Sequence, residues 1–156
     1  MRFVHTNIIS TNWKTLADFY IQTFQCKIIP PIRKQSGAWL DKGTGLKKAL
    51  LQGVHLLLPG YGQNGPTLEI YQYQTIDNQK ANEANTEGYR HIAFEVEDVE
   101  NTLKLLISNG GASIGEVTTQ KIEGVGILTF VYAKDPEGNI IELQSWKKES
   151  NVFESS

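Results

Sequence analysis

Apolar residues recur along this chain in two rhythms, and the rhythms come in the same order twice. Val4 and Ile8 alternate with polar neighbours, the period of a half-buried strand. Ser10-Thr11-Asn12 follows as a helix N-cap cluster, and Trp13, Leu16, Ala17, Tyr20 and Phe24 then repeat at the spacing of a core-facing helix stripe. Further on, Ile92, Phe94 and Val96 alternate in the same way. Asp98 is the second cap, Val99, Leu103, Leu106 and Ile107 form the second stripe, and Asn109-Gly110-Gly111 ends it with residues tolerant of positive φ. Superposing His5 on His91, 86 residues apart, aligns the two openings.

The halves also close alike. Gly65-Pro66-Thr67-Leu68-Glu69-Ile70-Tyr71 matches Gly138-Asn139-Ile140-Ile141-Glu142-Leu143-Gln144 at an offset of 73. Turn-forming Gly62-Gln63-Asn64-Gly65 and Asp135-Pro136-Glu137-Gly138 precede these strands. Two more strands fit between helix and closing strand: residues 113–119 and 127–132 in the second half, and residues 27–29 and 50–58 in the first. The first half carries about 13 extra residues, and its loop-like composition is concentrated in residues 30–53. The expected unit is βαβββ, written twice. The fold class is therefore α+β, two modules each forming a curved mixed sheet. Module 1 spans about 1–75, a polar connector 76–88, module 2 about 89–147, and a flexible tail 148–156, all within one domain.

Strand parity predicts where side chains point. His5 opposes Val4 and Ile8, and Glu69 opposes Leu68 and Ile70. His91 opposes Ile92 and Phe94, while Glu142 opposes Ile141 and Leu143. Each half thus places one His and one Glu on the face away from its helix. Two such sheets facing each other would gather His5, Glu69, His91 and Glu142 in one cavity, a nitrogen and oxygen ligand set that suits divalent Zn, Ni, Co, Mn or Fe.

Charge and composition narrow the field. In 156 residues, 15 Lys and Arg stand against 17 Asp and Glu, a net charge of −2, which is no footprint for nucleic acid. No run approaches the ~18 apolar residues of a membrane span, and the opening residues lack the apolar core of a secretory signal. The single cysteine, Cys26, excludes an intrachain disulfide and reads as a small buried residue. A reducing compartment, the cytoplasm, is expected. Arg33-Lys34 and Lys47-Lys48 read first as surface charge and second as holders of an anionic substrate tail such as a CoA phosphate, and His55, in a strand-like run, reads as structural or cavity-lining. No glycine cluster follows a strand and opens a helix, so there is no phosphate-loop fingerprint.

The repeat with His5, Glu69, His91 and Glu142 at its strand ends resembles the vicinal oxygen chelate superfamily, which comprises glyoxalases, bleomycin-resistance proteins and extradiol dioxygenases. Met1-Arg2-Phe3-Val4-His5-Thr6, Asp18-Phe19-Tyr20 and Gly88-Tyr89-Arg90-His91-Ile92-Ala93-Phe94-Glu95-Val96 look like bacterial glyoxalase I, lactoylglutathione lyase. Asp135-Pro136-Glu137-Gly138-Asn139-Ile140-Ile141-Glu142-Leu143 matches the superfamily's most recognisable segment. The resemblance implies a metal that binds two neighbouring substrate oxygens and stabilises an enediolate or enolate during proton transfer next to a carbonyl. By position, Glu142 and Glu69 match residues that serve as ligands and bases, with Glu142 the first choice for the base. It also implies a small-molecule substrate and a homodimer, with the site within one chain or shared between two.

There are departures. Glutathione-using relatives place an arginine four residues after the first His and an asparagine four after the first-half Glu. Here those positions are Ile9 and Tyr73, which argue against glutathione. Tyr71, Tyr73 and Trp146 share the parity of the two glutamates and would give an aromatic substrate wall. The competing readings are an acyl-CoA epimerase of the methylmalonyl-CoA type, an Fe(II) extradiol dioxygenase and a metal-free drug-sequestering protein. Glu69 counts against the first two, and retention of all four candidate ligands against the third.

Overall fold

In the computed structural model, which describes residues 1–77 and 83–148, the chain divides into two compact units, Met1–Ala81 and Asn82–Ser156. Unit 1 runs β1 (His5–Ile9), α1 (Trp13–Phe24), β2 (Lys27–Ser36), α2 (Ala38–Thr44), β3 (Leu50–Leu57) and β4 (Thr67–Tyr73). Its sheet has the order β1-β4-β3-β2, with β1 parallel to β4 and the other pairs antiparallel. Unit 2 runs β5 (His91–Glu95), α3 (Val99–Ser108), β6 (Ala112–Ser113), β7 (Thr118–Ile122), β8 (Gly126–Lys134) and β9 (Ile140–Lys147). Its sheet has the order β5-β9-β8-β6, with β7 also paired to β8. Both are mixed sheets with few helices, the α+β class expected from the patterning.

α1 and α3 form where a cap and an apolar stripe coincide. Asn12 caps α1 by accepting a hydrogen bond from the Thr15 amide, and Asp98 caps α3 by accepting from the Asn101 amide. The α1 stripe buries Trp13, Leu16, Ala17, Phe19, Tyr20 and Phe24, and the helix packs on β3 and β4, where Val54, Leu56, Leu68 and Ile70 are fully buried. Large side chains buried in this way contribute about 1.5–3 kcal/mol each. In unit 2, α3 buries Val99 and Leu106 and packs on β6, β8 and β9, whose core residues include Val131, Ile141 and Leu143.

Two expectations need correction. The first-half insertion is not loop: β2 extends to Ser36 through a bulge between Ile29 and Arg33, and α2 follows. Leu40 of α2 is buried with Ala49 and Leu51, against which Tyr71 and Tyr73 pack. Burial of that one leucine holds a seven-residue helix whose own sequence, with Gly43 inside it, is a poor helix former. In the second half, the strand expected at residues 113–119 is two short strands, β6 and β7, each paired to a different part of β8. Residues 78–82 of the expected connector and 149–156 of the expected tail lie outside the described residues.

Candidate functional site

In unit 1 the parallel pairing of β1 and β4 sets Asn7 opposite Glu69. His5, two residues earlier on the same strand face, turns Nδ1 to within 3.4 Å of Glu69 Oε1. From the other side, antiparallel β3 sets His55 directly opposite Glu69, with Nε2 3.2 Å from the same oxygen. The Glu69 side chain is only 11% exposed, and a carboxylate removed from water to that degree needs hydrogen-bond partners. Two imidazoles stand within ion-pair distance of it.

The contacts continue along the sheet. The Tyr71 hydroxyl lies 2.5 Å from His55 Nε2. Tyr71 sits opposite Gly53, and Gly53 opposite Arg33, whose guanidinium hydrogen-bonds the phenol and whose Nη1 donates to the Pro31 carbonyl at 2.9 Å. Burial lowers the His55 pKa below its ordinary value, with Arg33 and His5 acting in the same direction and Glu69 opposing them, so the ring is neutral at neutral pH. Burial raises the Tyr71 pKa, and the Glu69 charge adds to it, while Arg33 pulls the other way.

Unit 2 repeats the core of this arrangement. Parallel β5 and β9 set Ala93 opposite Glu142, and His91, again two residues earlier, places Nε2 3.1 Å from Glu142 Oε2. Where unit 1 has His55 opposite its glutamate, β8 sets Tyr132 opposite Glu142, and its ring lies against His91 with centroids 5.0 Å apart. The strand before Glu142 is aligned by a turn organised by buried Asp135. Its Oδ1 accepts from the Glu137 and Asn139 amides, and its Oδ2 from the Asn139 side chain.

Within each unit, then, the structure brings together the His and the Glu that parity paired. The three aromatics are placed differently from one another. Tyr71 belongs to the hydrogen-bonded row beside Glu69, and Tyr73 packs with the α2 cluster. Trp146 is more than a third exposed, and its Nε1 donates to Gln144 at 3.3 Å. The contact of His55 with Glu69 and the turning of Arg33 onto Tyr71 are not evident from strand parity and composition alone. The signal was available: with a hairpin turn at residues 58–66, antiparallel registration carries residue 55 opposite residue 69. A surface groove of about 360 Å³ lined by Lys34, Gln52, Tyr73 and Gln74 among others lies apart from the His–Glu pair and offers no comparable chemistry.

Imidazole nitrogen and carboxylate oxygen, with no thiolate, fit a divalent ion of intermediate hardness. Each pair supplies two donors. His5 and His55 both turn to one oxygen of Glu69, and among the described residues no group of three or more His, Cys, Asp or Glu side chains is disposed to hold a metal.

Among the described residues no helix is long and apolar enough to cross a membrane. No protein with a curated description matches the chain in sequence. Several solved structures share its fold. A glyoxalase family protein from Bacillus cereus is 21% identical, with 94% of this chain and 93% of that one covered and a TM-score of 0.73. A glyoxalase family protein from Enterococcus faecalis is 21% identical over 92% and 96% of the two chains, with a TM-score of 0.58. A glyoxalase/bleomycin resistance protein/dioxygenase from Alicyclobacillus acidocaldarius is 14% identical over 97% and 96%, with a TM-score of 0.55. At these identities the likeness is one of fold. The sequence model of the Glyoxalase/Bleomycin resistance protein/Dioxygenase superfamily matches residues 2–143, nearly the whole length, and the chain belongs to that superfamily.

Proposed function

We propose that the protein is a metal-dependent lyase or isomerase of the glyoxalase I type, acting by proton transfer next to a carbonyl. His5, Glu69, His91 and Glu142 are the proposed ligands of a divalent cation, within one chain or shared between two. The observation that carries this reading is the duplication: both units set a His two residues before the strand partner of a Glu, with nitrogen and oxygen 3.1–3.4 Å apart. Surface histidines and glutamates have no reason to repeat that offset in two sheets.

A bound cation would supply a Lewis acid for substrate oxygens on which negative charge develops. The remaining roles belong to the chain. Glu142 is the proposed base, taking a proton from carbon and returning it to the neighbouring position. Tyr71, Tyr73 and Trp146 are proposed as an aromatic wall for the substrate, and Ile9 and Tyr73 stand where a thiol tripeptide's carboxylates would need polar anchors, so glutathione is not the proposed carrier.

Metal analysis of stripped and reloaded protein tests the reading, followed by a panel of hemithioacetals, acyl-CoAs and catechols. Stoichiometric metal with isomerisation of a hemithioacetal or related α-oxo substrate is the expected result. Absence of stoichiometric metal binding overturns it in favour of a binding protein. Oxygen uptake with a catechol overturns it in favour of a dioxygenase, and epimerisation of an acyl-CoA in favour of an epimerase.

A further inference from the structure

The two glutamates are not held alike. Glu69 Oε1 has an imidazole on either side, His5 from β1 and His55 from β3. Among the described residues Glu142 has one imidazole, that of His91, on Oε2. Behind His55 stand Tyr71 and Arg33, and the latter is tied to the Pro31 carbonyl at the β2 bulge.

The direction of the His55–Tyr71 hydrogen bond depends on the imidazole tautomer, and the neighbouring carboxylate favours one of the two. An ionised carboxylate only accepts, so His55 Nε2 must carry hydrogen for its contact with Glu69 to be attractive. The phenol oxygen of Tyr71, beside the same nitrogen and facing the Arg33 guanidinium, is then the second acceptor there. Space for this arrangement is created at Gly53. A Cβ at that position would stand 2.6 Å from Tyr71 Cδ1 and 2.0 Å from the Ile70 carbonyl oxygen, so the tyrosine ring lies where any other residue would put its side chain. The row Arg33–Tyr71–His55–Glu69 is thus assembled from three strands and one missing side chain.

We infer that His55 and Tyr71 are positioning residues for Glu69: His55 holds Oε1 by an Nε2–H donor, Tyr71 holds the ring of His55, and Oε2 is left as the one directed ligand atom. Glu69 is then the fixed carboxylate of the chain and Glu142 the one free to move a proton. This rests on the metal-binding reading above. Groups that orient a ligand from behind typically change metal affinity by about 10–100-fold when removed.

The test uses Co²⁺ alone as probe, on the full chain stripped of metal, with the variants H55L, H55Q and Y71F. Affinity and the visible Co²⁺ absorption spectrum are read together, and circular dichroism establishes folding. The expected result is about a 10–100-fold weaker Co²⁺ affinity with a shifted absorption band in H55L, a smaller loss in Y71F, and recovery in H55Q, whose amide restores an N–H donor. Wild-type binding with unchanged affinity and spectrum in all three variants overturns the inference and leaves the proposed function standing. Equal weakening in H55L and H55Q also overturns it, because the imidazole would then act by packing. If H55L does not fold, H55Q and Y71F decide between these outcomes. Wild-type protein that binds no Co²⁺ overturns the proposed function itself.

Discussion

The two units share a backbone arrangement and differ in what surrounds it. In both, a parallel strand pair brings a His to a Glu with the same two-residue offset. In unit 1 the strand on the far side offers His55 and the chain adds α2, whereas in unit 2 the same strand offers Tyr132. A duplicated scaffold therefore presents two carboxylates in unequal company, which is the ground for the unequal roles proposed for them. The largest expected effect tests that directly. Replacing Glu142 with Gln removes the proposed base and should lower kcat by about 10²–10⁴-fold with metal content kept in part. Glu69→Gln still accepts from His55 but is a weaker ligand, so its main loss should be in bound metal, with turnover per bound metal less affected. Steady-state kinetics on the substrate found by the panel, with metal content measured on the same samples, checks both. Equal losses per bound metal in the two variants would break the comparison.

Next in size is the position one row along the sheet. Gly53 in unit 1 and Phe130 in unit 2 occupy corresponding places, the first opposite Tyr71 and the second opposite Gln144. Since the second unit carries a phenylalanine there, the architecture as such does not demand glycine. Unit 1 demands it because the Tyr71 ring and the Ile70 carbonyl fill the space. Gly53→Ala should cost about 1–3 kcal/mol in urea unfolding, the usual range for overpacking, and should weaken Co²⁺ binding through displacement of Tyr71. A stable variant with unchanged binding would detach Tyr71 from the site.

Much of this was legible in the sequence because strand parity and cap residues are local. The pairing of His5 with Glu69 and of His91 with Glu142 needed only a period of two and a repeat. What escaped was set by contacts distant along the chain. Nothing in Ala38-Trp39-Leu40-Asp41-Lys42-Gly43-Thr44 favours a helix strongly; the burial of Leu40 against Ala49 and Leu51 decides it. The β6–β7 interruption reflects which part of β8 each short strand can reach, a matter of sheet geometry. His55 looked like an ordinary strand residue because its meaning lies in the residue opposite, and Arg33 looked like surface charge because a bulge re-aims it.

Unit 1 also holds the one cysteine of the sequence, which gives the two units different responses to alkali. Burial raises the Cys26 pKa from 9.0 to about 11, with a backbone hydrogen bond opposing in part. A thiol that ionises at 9.0 when unfolded and near 11 when folded stabilises the native state fully below pH 9, and that contribution is lost as pH rises towards 11. Urea unfolding across this range should show a fall in stability that is smaller in Cys26→Ala. Alkylation of the native thiol at pH 8 should be slow and become fast in denaturant. A pH-dependent fall of the same size in the variant would place the alkaline sensitivity elsewhere.

The smallest expected difference lies at the two helix caps, where the units diverge in degree alone. Asn12 accepts from the Thr15 amide at 3.3 Å, while Asp98 accepts from the Asn101 amide at 2.9 Å and from the Asn101 side chain at 2.8 Å. The aspartate adds a negative charge at the positive end of the helix dipole, typically worth ~0.3–1 kcal/mol. Packing points the same way. α1 keeps seven buried residues when its cap is lost, whereas α3 has Val99 and Leu106. Asp98→Ala should therefore cost about 1–2 kcal/mol and Asn12→Ala about 0.5–1, measured by urea unfolding with amide exchange resolved over each helix. If Asn12→Ala proved the more damaging, packing along α1 would have to depend on how that helix starts, and the tighter, charged cap of α3 would be compensating for less than its geometry suggests.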